Sequence, residues 1–184
     1  MKNILSQFVW LLLFAMILGQ ILIRQEDNQS NNNSVVTSPI NNQGELYQVK
    51  QGSVYDGDTI RVISARGEES RVRFACIDAP EMDQPLGRES RDYLRNLLSR
   101  HNNQVRLDVT NVDRYGRKIA VLHLPNGEIV QEMQVREGWV FPYPQYKRDC
   151  PVWDNIESAD AIARRNGINV YRGDIDPPWE HRRR

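Results

Sequence analysis

Between Leu46 and Leu124 the chain carries five short segments of one kind. "LYQVKQGSV", "TIRVISA", "SRVRFACI", "QVRLDVT" and "KIAVLHL" are rich in β-branched and aromatic residues, and several alternate apolar with polar side chains. A period of two puts one set of side chains on each face of a half-buried strand. Single strands this short bury too little to be stable alone, so the five must share one sheet and one core. "ARGEES", between the second and third, is a polar, glycine-containing connection suited to a hairpin. Three helical patterns go with the strands. In "GRESRDYLRNLLSRHN", Tyr93, Leu94, Leu97 and Leu98 share one face. "EIVQEMQVREGW" is the second, with Gly138 as its terminating residue. In "WDNIESADAIARRNG", Trp153, Ile156, Ala159 and Ala163 fall at helical spacing, with Asp154 a candidate cap and Gly167 the stop.

These elements predict an α+β domain, a five-stranded OB-type β-barrel with about three helices. The 184 residues hold one such domain and an appendage. The expected division is an apolar segment at 1–24, a polar linker at 25–45, the domain at 46–180 and a basic tail at 181–184. From Ile4 to Ile23 there is no charge over 20 residues, about the length that a spanning helix needs. Lys2 precedes this stretch, whereas Arg24 is offset by Glu26 and Asp27, which favours a cytoplasmic N-terminus. A cleaved signal peptide is the competing reading; the lack of a small-x-small motif after Leu18 favours an uncleaved anchor. On either reading the domain lies outside the cytoplasm, membrane-anchored or secreted. The Asn-rich linker has few groups to bury and reads as a disordered tether.

Charge narrows the function. Lys and Arg number 24, as do Asp and Glu, so no global field attracts a polyanion. Setting aside the first 44 residues leaves the balance unchanged, because they hold two charges of each sign. Any nucleic-acid binding must come from local placement. Three stretches carry acids or arginines where turns and strand ends belong: "YDGDT", "RFACIDAPE" and "DRYGR". Taken singly, the first and third read as turns and the second as a strand end. Together they hold a specific kit. Asp58 and Asp78 offer hard carboxylate oxygens suited to calcium or magnesium. The three histidines, His101, His123 and His181, are scattered, which argues against a zinc cluster. Arg73 and Arg117 each present a planar fork that matches two phosphate oxygens. Glu81 can accept a proton from water. Such a set is equipment for attacking a phosphodiester with water.

The same three stretches, in this order, resemble the signature of the staphylococcal nuclease (thermonuclease) family. The resemblance extends over about residues 46–180 and includes the "GEIVQEMQVREGW" helix and the closing "GINVY…PPWEHRR". It implies a calcium-dependent nonspecific nuclease acting on DNA and RNA and leaving 3′-phosphate and 5′-hydroxyl ends. It also implies roles. Asp58, Asp78 and the backbone carbonyl of Ala79, where the family often has threonine, would hold the metal. Glu81 would be the general base, and Arg73 and Arg117 would hold the scissile phosphate. Tyr115, Arg114 and Tyr143 would contact the nucleotide chain, although ordinary packing accounts equally well for Tyr143 and Trp139, and a solvated turn accounts better for Arg114. "HRRR" reads as a solvated tail outside the centre. A catalytically inactive OB-fold module, binding nucleic acid or protein and tethered to a membrane, is the alternative; the presence of Asp58, Arg73, Asp78, Glu81 and Arg117 together favours the enzyme. Cys76 and Cys150 would suit one bridge in an exported protein, but the sequence leaves their pairing open. A monomer is expected.

Overall fold

The computed structural model describes residues 44–184; the expected apolar segment and all but the end of the expected linker lie outside the described residues. Among the described residues no helix is long and apolar enough to cross a membrane. All five expected strands form: β1 (Leu46–Val49), β2 (Thr59–Ile63), β3 (Glu69–Phe74), β5 (Gln104–Val112) and β6 (Lys118–His123). They close into a barrel in the order β1-β2-β3-β6-β5. The β2–β3 hairpin pairs Ile63 with Glu69 across the "ARGEES" turn, where Gly67 takes φ +83°. Closure depends on one parallel pair, Val72 with Lys118 through Phe74 with Ala120, between β3 and β6. A parallel pair needs a long crossover, supplied here by everything from Ala75 to Arg117.

The run expected as one strand over residues 70–77 is two. β3 ends at Phe74, Cys76 adopts φ +72°, and a two-residue β4 (Ile77–Asp78) leaves in a new direction. A left-handed backbone at a non-glycine residue is costly and needs support from its surroundings. Here β4 pairs with β7 (Phe141–Pro142) as a second small sheet, and the Tyr143 amide donates to the Cys76 carbonyl at 2.8 Å. Cys76 and Cys150 are joined by a disulfide with Cα atoms 5.3 Å apart, which ties the kink to the residues leading into the third helix.

The helices are α1 (Gly87–Ser99), α2 (Val130–Arg136), α3 (Trp153–Asn166) and a four-residue α4 (Pro178–His181). Leu94, Leu97 and Leu98 of α1, Val130 and Val135 of α2, and Ile156 and Ala159 of α3 join the barrel residues Ile60, Val62, Val72 and Phe74 in one apolar core. Gly138 (φ +66°) and Gly167 (φ +55°) end α2 and α3 in the left-handed conformation expected of them. Asp154 is not a cap. Val152 occupies that place, and Asp154 lies in the first turn without a capping bond; its charge still complements the helix dipole.

The disulfide spans 74 residues and closes the crossover onto α3. Replacing both cysteines with serine is expected to lower unfolding free energy by about 2–4 kcal/mol, read from urea denaturation with and without reductant; reductant should not affect the double variant.

Candidate active site

The first acidic turn is built from its own side chains. Asp56 Oδ1 accepts hydrogen bonds from the amides of Asp58 (3.0 Å) and Thr59 (2.7 Å), which folds the chain back just before β2. Gly57 sits where nothing larger fits: a Cβ there would stand 2.1 Å from Ser90 Oγ and 2.8 Å from the Ala79 Cβ. Gln134 of α2, fully buried, donates to the Gly57 carbonyl at 2.6 Å. The turn is therefore clamped between α1, α2 and the chain after β4, with Asp58 pointing inward at 5% exposure.

β-Register then supplies the arginine. Arg73 on β3 lies opposite Thr59 on β2, next to Asp58, and the kink at Cys76 swings Asp78 round to meet it. Arg73 Nη1 is 2.8 Å from Asp58 Oδ2, and Nη2 is 2.7 Å from Asp78 Oδ1. The Ala79 amide also donates to Asp58 Oδ2, at 2.6 Å. Asp78 is 1% exposed. Burial pushes the Asp58 carboxyl up to about 7 against the opposing pull of Arg73. For Arg73 burial acts downward, and Asp58 and Asp78 outweigh it to give a net rise.

Glu81 lies three residues beyond Asp78, on a turn bridged by Gln84. The Gln84 side chain accepts from the Glu81 amide at 2.8 Å and donates to the Asp176 carbonyl at 3.1 Å. Gly87 opens α1 against this turn, where a Cβ would come 1.9 Å from the Glu81 carbonyl oxygen. The "DRYGR" turn joins β5 to β6. Asp113 Oδ1 accepts from the amides of Tyr115 and Arg117, both at 2.9 Å, and Oδ2 accepts from Arg117 Nε at 2.7 Å. The terminal nitrogens of Arg117 have no partner among the described residues. Its guanidinium carbon is 5.5 Å from the Tyr115 ring centroid.

All nine residues singled out in the sequence converge. Asp58, Arg73, Asp78, Ala79, Glu81, Arg114, Tyr115, Arg117 and Tyr143 line one cavity of about 440 Å³. Trp139 does not join them and stacks on Tyr93, with ring centroids 5.6 Å apart. Five more residues line it: Asp56, Thr59 and Pro80, which lie within the three acid- and arginine-bearing stretches, and Tyr146 and Arg182, which do not. Tyr146 packs edge-on against Tyr143 at 4.7 Å. Arg182, read as part of a solvated tail, is instead inside the centre: Nη2 is 2.6 Å from Asp78 Oδ2 and Nη1 is 2.6 Å from Glu81 Oε1. Nothing in "HRRR" distinguishes its second residue, because the contact spans 104 positions. A larger cleft of about 730 Å³, between Phe141, Trp153 and Trp179, carries Glu157, Asp160, Asp174 and Asp176 against Lys147 and Arg164. That excess of acid disfavours a phosphate chain.

Among the described residues no three His, Cys, Asp or Glu side chains form a ready metal cluster. The donors still suit an oxygen-seeking divalent cation: two buried carboxylates and the carbonyl of Ala79, which accepts no hydrogen bond among the described residues. Burial, with Asp56 and Asp78 adding to it, holds the Asp58 carboxyl high against Arg73, and a cation there would favour its charged form. An acid with a folded pKa near 7 and an ordinary unfolded value penalises the folded state fully above about pH 7 and not at all below about pH 4. Asp58→Asn should therefore stabilise the metal-free protein by up to about 4 kcal/mol at pH 8. Urea unfolding in chelator should show that gain shrinking as pH falls towards 4.

The sequence model of the staphylococcal nuclease homologue family matches residues 71–172. An "Uncharacterized endonuclease" of Escherichia coli O157:H7 is 36% identical over 131 residues, covering 71% of this chain and 82% of that protein. A "Micrococcal nuclease" of Shigella flexneri is 33% identical over 139 residues, 71% of this chain and 77% of its own length. A "Thermonuclease" of Staphylococcus hyicus is 30% identical over 127 residues, 64% of this chain and 72% of that protein. With the closed barrel and the order of its acidic and arginine-bearing turns, these matches place the chain in the staphylococcal nuclease family.

Proposed function

We propose that this chain is a nonspecific phosphodiester hydrolase, a calcium-dependent nuclease of DNA and RNA that leaves 3′-phosphate and 5′-hydroxyl ends. One observation carries the reading. Arg117, with both terminal nitrogens unpartnered among the described residues, lines the same cavity as Glu81 and the buried pair Asp58 and Asp78. A calcium-binding domain without chemistry would have no use for that fork.

Asp58, Asp78 and the Ala79 carbonyl are the residues to hold calcium, which when bound supplies positive charge against the negative charge developing on the phosphate. Arg117 takes two oxygens of the scissile phosphate through its free nitrogens. Arg73, fixed between two acids, adds its charge from the cavity wall. Glu81 accepts a proton from water as the water oxygen attacks phosphorus. The bond from phosphorus to the 5′ oxygen breaks, and the leaving oxygen takes a proton from solvent water to become the 5′-hydroxyl. Tyr115 and Tyr143 offer ring faces to neighbouring bases, and stacking of this kind tolerates any sequence. Arg114 adds charge for the phosphate chain.

The uncharged stretch from Ile4 to Ile23 supports action outside the cytoplasm, anchored or secreted, and a Cys76–Cys150 bridge suits an oxidising compartment. The complete centre within one chain supports a monomer.

Residues 44–184, incubated with single-stranded DNA, should cut in calcium and stop in chelator. Glu81→Ala and Arg117→Ala should each lower turnover about 10²- to 10⁴-fold with an unchanged urea midpoint. Cutting that persists in chelator, or in both folded variants, would overturn the assignment.

A further inference from the structure

We propose that Arg182 is a third arginine of the reaction centre, a positioning residue that holds Asp78 beside Glu81 and yields Asp78 when a divalent cation binds. The proposal rests on the metal reading above.

Both oxygens of the Asp78 carboxylate are taken by guanidinium groups, Oδ1 by Arg73 and Oδ2 by Arg182. A cation on either oxygen would stand close to a guanidinium charge, and that repulsion favours withdrawal of one arginine. Arg73 is held from all sides. Its side chain is 14% exposed, sits on a central barrel strand and donates to the Phe74 and Ile77 carbonyls as well as to both acids. The Arg182 side chain is 44% exposed, and among the described residues its guanidinium pairs with the two carboxylates and no other group. It follows a helix of four residues, and an exposed arginine loses little on leaving a partner for water. Arg182 is therefore the one to withdraw.

Withdrawal does not require its backbone to leave. Trp179 packs against Phe141 and Tyr143 with ring centroids 6.0 and 5.1 Å apart. The Gln84 amide holds Asp176 to the Glu81 turn, and His181 Nε2 lies 3.3 Å from Asp83 Oδ1. The segment thus stays docked on the turn that carries Glu81. Through Nη1 the arginine keeps its hold on Glu81 while Nη2 gives up Asp78. One side chain serves as counter-ion to the metal ligand in the empty state and as an orienting partner of the base in the loaded state.

The test is calcium titration of the full-length chain by calorimetry, without nucleic acid, for the wild type, Arg182→Ala and Arg182→Lys. Loss of a competing positive charge should tighten calcium binding about tenfold in Arg182→Ala, with Arg182→Lys between it and the wild type. At saturating calcium the turnover of Arg182→Ala should fall about tenfold with KM for single-stranded DNA little changed, and Arg182→Lys should recover part of the loss. Equal, measurable calcium affinities in all three proteins would overturn this role and leave the metal reading intact. Weaker binding in a folded Arg182→Ala would overturn it too, making the contact a support for the ligands and not a competitor. Calcium binding to none of the three would overturn the metal reading and this proposal together.

Discussion

The buried bridge of Asp58, Arg73 and Asp78 is the interaction on which the rest of the structure turns. Two carboxylates at 5% and 1% exposure repel each other and lose most of their hydration. One guanidinium, split between them at 2.8 and 2.7 Å, makes the arrangement tolerable without neutralising it. Much of the surrounding architecture holds these three groups in place. Gly57 lets α1 and Ala79 close on the first turn, Gln134 fastens that turn from α2, and the kink at Cys76 aims Asp78 at Arg73. A centre built this way is costly in the folded state, and its buried oxygens suit the cation of the proposed function.

The remaining charges follow the same economy. Three of the four arginines that line the cavity are matched to acids at different depths. Arg73 is buried between two, Arg117 leans on Asp113 through one nitrogen and leaves its fork open, and Arg182 approaches from the solvent side. Depth sets freedom. A deep ion pair is fixed, because breaking it strands a buried charge, whereas a shallow one can exchange partners with water at little cost. A balanced net charge over the whole chain is thus compatible with handling a polyanion, since what matters is which guanidinium nitrogens face the cavity.

Much of the barrel could be read directly. The five β-rich runs, the hairpin turn and the apolar faces of α1 and α3 are local patterns of period two or about four, and local patterns survive folding. The site residues were legible for a different reason. Their turns need special residues, such as Asp56 to fold back the first and Gly116 at φ +75° in the third, so motif and geometry coincide. Three features had no local signature. The split of residues 70–77 into two strands depends on β7, which lies more than sixty positions away; the Cys76–Cys150 pairing depends on the same approach. Arg182 reaches the centre only because Trp179 docks on Phe141 and Tyr143.

By itself the sequence determined the five barrel strands and three main helices, the acids and arginines available for chemistry, and the turns that present them, because each depends on neighbours within a few residues. The tertiary structure alone decided the parallel closure of β3 on β6, the direction in which Asp78 points, and which guanidinium groups face which carboxylates. Those outcomes are set by contacts between distant segments competing for the same buried space, where the packing has to satisfy the buried charges together with the apolar core.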